Sequence, residues 1–186
     1  TQAGTHSCQG VSVAEAVSFL AAPEAYPDHP ARVDVRETHM SWVFLTDCHV
    51  YKLKKPVRFS YLDYSTPAAR QRNCQAEVRL NRRLAPWVYL AVVPLLRRPD
   101  GGLAVVGPGT PVDWLVKMVR LPAESLLDEA IAADSVDAAR LDGAARLLAD
   151  FYGAQPRLED DAGAYADTLR QRARGNRDAI AEDPLG

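Results

Sequence analysis

The sequence has no long apolar run. Although 47% of its 186 residues are hydrophobic, none of the apolar stretches approaches the roughly 20 residues that a membrane-spanning helix needs. Residues 1–10 are polar and contain no signal-peptide core. These absences predict a cytoplasmic protein with no membrane partner. The first residue is Thr1 rather than methionine, which favours a trimmed chain.

Cysteine and histidine are scarce. The three cysteines, Cys8, Cys48 and Cys74, are an odd number and form no CxxC pair, so we expect reduced thiols rather than a disulfide framework or a zinc site. All four histidines precede residue 50, and His39 and His49 have no third ligand at a recognisable spacing. A GxxxxGK[ST] phosphate-binding loop is also absent, which argues against a P-loop nucleotide hydrolase.

The net charge is only −2, but the charges are unevenly distributed. Residues 52–83 contain nine basic and two acidic residues, whereas residues 124–186 contain seven basic and fourteen acidic ones. The basic segment suits a polyanion, either the phosphates of a nucleotide or a nucleic acid. The acidic segment suits a solvated helical surface or a cationic substrate.

Residues 49–57 predict a strand that carries lysines within an apolar pattern. Because strand side chains alternate, Val50, Lys52 and Lys54 point one way, and Tyr51 and Leu53 point the other. A lysine in such a strand must be paired or solvated. For the strand alone, the simpler interpretation is an edge strand with a solvated lysine face.

The next helix changes that interpretation. Ser65 or Thr66 can cap it, Pro67 suits its first turn, and the pattern continues to about residue 84. Glu77, Leu80 and Leu84 share a face that we expect to pack inward, where a glutamate needs a cation. Lys52 of the strand can supply it. We therefore predict that Lys52 and Glu77 form an ion pair, an arrangement that kinases use.

The rest of the chain alternates between strand and helix patterns. Residues 32–57 predict three sequential antiparallel strands. Further strands are predicted at residues 88–96, 103–106 and 112–121, and helices at residues 11–22, 123–132, 162–181 and from a cap at Asp134 or Ser135 to about residue 153. Between residues 56 and 64, Phe59, Tyr61 and Tyr64 either form a nucleic-acid surface or pack the helix onto the sheet, and we favour packing.

Four segments together resemble a known family. They are residues 37–45 (ETHMSWVFL), 50–57 (VYKLKKPV), 77–84 (EVRLNRRL) and 112–118 (VDWLVKM). As a set they are similar to the amino-terminal lobe of bacterial aminoglycoside-phosphotransferase-like proteins, which have a protein-kinase-like fold. The resemblance covers roughly residues 30–155.

The resemblance implies an α+β fold and an ATP-dependent phosphotransferase activity. Residues 1–30 would form a helix and linker, residues 31–121 the nucleotide-binding lobe, and residues 122–186 the helical start of a second lobe. Lys52 would hold the ATP phosphates and Glu77 would orient Lys52. The other implied nucleotide-binding residues lie in a glycine-free loop and in the hinge beside the adenine, and they are Thr38, His39, Ser41, Met118, Val119, Arg120 and Leu121.

The chain also departs from the family, because it contains no His-x-Asp triplet. The family's catalytic loop and its magnesium-binding aspartate would follow in the rest of the second lobe. We therefore expect a truncated kinase-like chain that is inactive alone. We expect it to bind ATP with Mg²⁺, whose protein ligands would lie in the missing part. Self-association can occur through the incomplete second lobe. The small-molecule acceptor is not identified by these residues.

Two alternatives come from other functional classes. One is a non-catalytic nucleotide-binding or protein-interaction module with a degenerate kinase fold. The other, which we favour less, is a nucleic-acid binder that uses the basic segment.

Overall fold

A computed structural model describes residues 11–156 and 162–182. The chain divides into two compact units, residues 1–136 and residues 137–186. The first unit contains an antiparallel sheet with helices, and the second contains helices in its described part. The predicted α+β class is confirmed. Cys8 lies outside the described residues.

The first unit is built on a six-stranded antiparallel sheet in the order β1-β2-β3-β8-β6-β7, with β4 and β5 forming a separate hairpin. The strands are β1 (Asp34–Glu37), β2 (Ser41–Leu45), β3 (His49–Lys54), β4 (Arg58–Phe59), β5 (Leu62–Asp63), β6 (Tyr89–Arg97), β7 (Leu103–Ala104) and β8 (Thr110–Val119). Its α-helices are α1 (Val13–Leu20), α2 (Pro67–Asn81) and α3 (Leu127–Ala132).

The three sequential strands predicted at residues 32–57 are confirmed as β1, β2 and β3. Each of the two turns between them is closed by a threonine hydroxyl. The Thr38 hydroxyl accepts from the Ser41 N–H and donates to the Ser41 carbonyl, and Thr46 makes the same two bonds with His49. These local bonds fix the turns without glycine.

One face of the sheet holds the main hydrophobic core. Tyr51 and Leu53 point to this side of β3 and pack with residues of α1. Ser12 caps α1, and Ala16 and Leu20 are its buried residues. Val13 of the same helix is exposed.

The opposite face of the sheet is covered by α2, which begins after the Thr66 cap as predicted. Its buried residues are Ala69, Arg70, Cys74 and Val78. The prediction that Leu80 and Leu84 lie on the packed face was wrong, because α2 ends at Asn81 and Leu80 is 51% exposed. Leu80 lies two residues beyond Val78, which places it roughly 200° further round the helix.

The later elements differ from prediction mainly at their ends. The strands predicted at residues 88–96, 103–106 and 112–121 are β6, β7 and β8, with bounds shifted or shortened by one or more residues. The single helix predicted at residues 123–132 is a 3-10 turn, Ala123–Ser125, followed by α3.

The second unit contains α4 (Ala138–Gly153) and α5 (Ala162–Glu182). The predicted cap of α4 at Asp134 or Ser135 was wrong: Asp137 caps it by accepting from the Ala139 N–H. Asp134 has a positive φ of 49° just beyond α3, so it belongs to the end of that helix. In the described part of the chain, no helix combines the length and the apolar character that crossing a membrane requires.

Candidate functional site

The candidate site starts from the alternation of side chains along β3. This strand lies inside the sheet, between β2 and β8, with Lys52 opposite Val43 on one side and Val116 on the other. Because Tyr51 and Leu53 point into the main core, Lys52 and Lys54 point to the face that α2 covers. A central strand therefore presents two cations to one helix.

Glu77 of α2 binds both of these lysines. Its Oε1 lies 3.0 Å from the Lys52 Nζ and its Oε2 lies 2.5 Å from the Lys54 Nζ. The predicted ion pair between Lys52 and Glu77 is confirmed. The additional bond to Lys54 was not predicted. The sequence did place Lys52 and Lys54 on the same face of the strand, which indicated that both could reach the helix.

The charges of this cluster stabilise one another despite their burial. Burial alone would raise the pKa of Glu77, but the hydrogen bond from Lys54 and the charges of both lysines hold it below its ordinary value. Burial would likewise lower the pKa of Lys54, and the bond to Glu77 outweighs it and leaves that pKa raised. Glu77 and Lys54 are therefore both charged at neutral pH.

The turn between β1 and β2 lies beside this cluster, because Ser41 is the register partner of Lys54. The Thr38 hydroxyl is engaged in closing the turn, and Ser41 is buried. His39 is exposed at the tip. Of the three residues predicted here, Thr38 and His39 are exposed and Ser41 is not, and the nucleotide contact of all three stays a prediction.

Three aromatic rings form a stack at this end of the sheet. The His39 ring lies 5.7 Å from Phe59 at an interplanar angle of 24°, and Phe59 lies 5.6 Å from Tyr61 at 9°. The prediction that these rings pack the helix onto the sheet was wrong for Phe59 and Tyr61. The cause is the β4–β5 hairpin, which turns Phe59 towards His39 and leaves Tyr61 76% exposed.

Tyr64, the third aromatic of this segment, does connect the segment to α2. Its hydroxyl lies 3.4 Å from the Lys54 Nζ, its ring centre lies 4.9 Å from the same atom, and its carbonyl accepts from Arg70. Tyr64 therefore covers the buried end of the lysine pair.

The predicted hinge follows the neighbouring strand β8. Met118 is the register partner of Val50 and packs on the α2 face of the sheet, so it shares a face with Lys52. Val119 is the last residue of β8. Arg120 is held against the β2–β3 turn, where it donates to the carbonyl of Thr46, and Leu121 is exposed.

A further ion pair, separate from the Glu77 cluster, joins α2 to the sheet, and it was not predicted. Arg70 Nε and Nη2 each lie 2.8 Å from a carboxylate oxygen of Asp113, and both side chains are buried. Asp113 also accepts from the Trp114 N–H. An aspartate within the apolar strand pattern of residues 112–118 was the available signal, because it required a cation.

The described residues offer no obvious metal site. Among them, no group of three or more histidine, cysteine, aspartate or glutamate side chains could hold a metal ion.

A shallow groove of about 560 Å³ lies apart from the lysine cluster, between α2 and β6. It is lined by Gln75, Val78, Arg79, Arg82, Leu90, Ala91 and Val92. Arg82 crosses to the strand and donates to the carbonyls of Tyr89 and Leu90. The groove contains none of the residues predicted to bind nucleotide.

Comparison with known proteins finds similar sequences in mycobacteria. Uncharacterized proteins of Mycobacterium bovis and of two Mycobacterium tuberculosis strains are each 37% identical to this chain over 131 residues. The match covers 69% of this chain but 24% of each relative, so the chain spans about a quarter of the length of these relatives. No family model matches the chain, and no solved structure matches it either.

Proposed function

We propose that this chain is the ATP-binding part of a kinase-like phosphotransferase of the aminoglycoside-phosphotransferase-like kind. The observation that carries the proposal is the bond between Lys52 on the third strand and Glu77 on the helix that follows. Protein kinases use a third-strand lysine, held by a helix glutamate, to contact the nucleotide phosphates. Lys52 would take that role here, and Glu77 would hold it.

The surroundings of the lysine are consistent with this role. Lys52 is 30% exposed, so its ammonium group can reach a ligand. The β1–β2 turn, with His39 at its tip, precedes β2, the strand next to β3, which suits a loop that covers phosphates. Met118 lies on the same face of the sheet as Lys52, so the hinge of residues 118–121 would adjoin the adenine.

The proposal predicts weak ATP binding that depends on Lys52. We expect Lys52→Ala to lower the affinity for Mg-ATP, because charge-assisted hydrogen bonds to the phosphates are lost, by about tenfold or more. Binding to the chain itself should be weak, because the residues proposed to contact the nucleotide all lie between residues 38 and 121 and would cover one side of the adenine. Isothermal titration calorimetry of the two proteins measures both effects.

Lys55→Ala is the matched control for this titration. Lys55 follows Lys54 in sequence but pairs with Glu37 and lies over the Trp42 ring. Equal affinities of the original chain and Lys52→Ala would contradict the phosphate role of Lys52. Salt-dependent binding of an oligonucleotide, without binding of ATP, would instead favour the nucleic-acid alternative.

The catalytic and the non-catalytic forms of this proposal share the same nucleotide site. They differ in whether the parent gene encodes a His-x-Asp loop beyond residue 186. We expect such a loop, and its absence from the parent gene would favour a nucleotide-binding module without transferase activity.

A further inference from the structure

The two lysines that bind Glu77 differ in their access to solvent. The Lys54 side chain is 4% exposed and approaches Glu77 to 2.5 Å, whereas the Lys52 side chain is 30% exposed and lies 3.0 Å away. The Glu77 side chain itself is 15% exposed. The cluster therefore has a closed end at Lys54 and an open end at Lys52.

The cluster also has one more positive charge than negative charge. Each oxygen of Glu77 accepts from a different lysine, so one carboxylate is shared by two cations. The Lys54 end is covered by Tyr64. The excess positive charge is accessible at Lys52, where an anion can approach.

Other titratable groups near the cluster do not compensate this charge. Burial raises the pKa of the Cys74 thiol to about 11, so it is neutral at pH 7. The pKa of the Tyr89 phenol is raised by its burial and by the charge of Glu77. Tyr64 contacts Lys54 from the segment between β5 and α2. Glu77 thus supplies the negative charge in this cluster.

Moving Lys52 to a ligand has a cost that depends on Lys54. A half-buried carboxylate that loses its only cation is strongly destabilised. Here Glu77 would still hold Lys54 through the shorter of its two bonds. The second lysine therefore makes Lys52 easier to release.

From this geometry we propose that Lys54 is a positioning residue, which keeps Glu77 charged and in place while Lys52 transfers its hydrogen bond from Glu77 to an anionic ligand. The ligand class is the polyphosphate of a nucleotide, so the inference rests on the proposed function. No covalent step is involved, because only the hydrogen bonds of Lys52 are exchanged.

The first experiment is a double-mutant cycle read by calorimetry. Mg-ATP and, separately, inorganic tripolyphosphate are titrated into the original chain, Lys54→Met, Glu77→Gln and the double variant. Lys54→Met should weaken binding about tenfold, because Glu77 then retains Lys52. In the Glu77→Gln background, Lys54→Met should change the affinity little, because position 77 then has no carboxylate to compete with the ligand for Lys52.

The cycle separates positioning from a general structural role. If Lys54→Met weakens binding equally in both backgrounds, Lys54 acts on the fold and the proposal is overturned. Lys55→Met is the control and should bind like the original chain, since Lys55 pairs with Glu37 instead. Circular dichroism checks each variant, and Lys54→Gln replaces Lys54→Met in the cycle if the latter does not fold.

The second experiment needs no ligand. The pKa of the Glu77 carboxyl group is followed by carbon NMR in the original chain, Lys52→Met and Lys54→Met. The Lys54 variant should show the larger upward shift, because the closer and more buried cation has been removed. A larger shift in the Lys52 variant would overturn the inference.

Together the two experiments distinguish the inference from the proposed function. If neither polyphosphate binds the original chain, the proposed function fails and the order of the two pKa shifts decides whether Lys54 is the principal partner of Glu77. If polyphosphate binds but the cycle shows no coupling, the proposed function stands and the role of Lys54 is rejected.

Discussion

Cys74 shows how completely α2 closes one face of the sheet. Its side chain is fully buried between α2 and β8, where the sulfur lies 3.9 Å from the Trp114 carbonyl oxygen. Burial raises the pKa of the thiol to about 11. Cys48, in the β2–β3 turn, is exposed. Two thiols of the same chain thus differ in their access to solvent.

This difference predicts selective alkylation. At pH 8, iodoacetamide should modify Cys48 and leave Cys74 unmodified in the folded protein. The reactive thiolate form of Cys74 is disfavoured by burial, and its sulfur is inaccessible to the reagent. Peptide mass spectrometry after brief labelling measures each site, and labelling in denaturant provides the control. Equal modification of both thiols under native conditions would contradict the burial of Cys74.

At the level of single residues, the sequence predicted the Lys52–Glu77 contact but missed half of the cluster. Strand alternation placed Lys54 beside Lys52, yet alternation does not report which lysine is closer to the helix. That distance depends on how α2 lies across the sheet. The same limit applies to Arg70 and Asp113, because a contact between residues 43 positions apart requires the tertiary fold.

The helix α2 is joined to the sheet by the Arg70–Asp113 ion pair and by the Glu77 cluster rather than by an apolar stripe alone. The Arg70–Asp113 pair lies nearer the start of the helix and the Glu77 cluster nearer its end. Arg70 makes two parallel hydrogen bonds to the Asp113 carboxylate. This geometry strengthens the contact and fixes the relative orientation of the two side chains. The direction of α2 is therefore defined by polar contacts at two points.

Removing one partner of the buried pair should be costly. We expect Arg70→Met to lower the free energy of unfolding by about 3 to 5 kcal/mol, because Asp113 is left buried without its cation. Urea denaturation of the two proteins measures the difference. Arg72→Met, at an exposed position of the same helix, is the control and should change stability little. The double variant Arg70→Met/Asp113→Leu should be less destabilised than Arg70→Met, and a larger loss would contradict this explanation.

Glu77 makes the attachment of α2 dependent on pH. Burial opposes its ionisation, but the Lys54 bond and the two lysine charges hold its pKa below the ordinary value of 4.5. Its stabilising contribution is therefore complete above pH 4.5 and is lost as the pH falls through the lower pKa of the folded state. We expect the difference in unfolding free energy between the original chain and Glu77→Gln to shrink below about pH 4.5. Urea denaturation across pH 3 to 7 tests this, and a difference that grows in acid would contradict it.

The sequence predicted most elements because their local signals are strong. Thr66 and Pro67 marked the start of α2, and alternation identified the first three strands. The inward face of α2 was misassigned because Arg70 and Cys74, rather than Leu80, lie against the sheet. A hydrophobic pattern cannot identify a face that is anchored by an arginine, since the buried arginine is counted as polar.

For the whole molecule, the absence of a His-x-Asp triplet predicts that this chain transfers no phosphate. Phosphoryl transfer requires metal ions that bridge the phosphates and an aspartate that accepts the proton of the acceptor. Incubation with labelled ATP, Mg²⁺ and a panel of acceptors should give no labelled acceptor above the blank. Turnover that is abolished by Lys52→Ala would show that a catalytic aspartate lies elsewhere in the chain.

The two borders of the six-stranded sheet have a consequence for self-assembly. An unpaired strand border can recruit another chain and start a fibre. On one border, β1 carries Asp34, Arg36 and Glu37. On the other border, β7 pairs only with the end of β6. At the beginning of β6, Arg82 donates to the carbonyls of Tyr89 and Leu90. Pro94, within β6, has no N–H group to offer to another strand. Both borders are therefore poor templates for a seventh strand, and we expect the sheet not to extend from one molecule to the next.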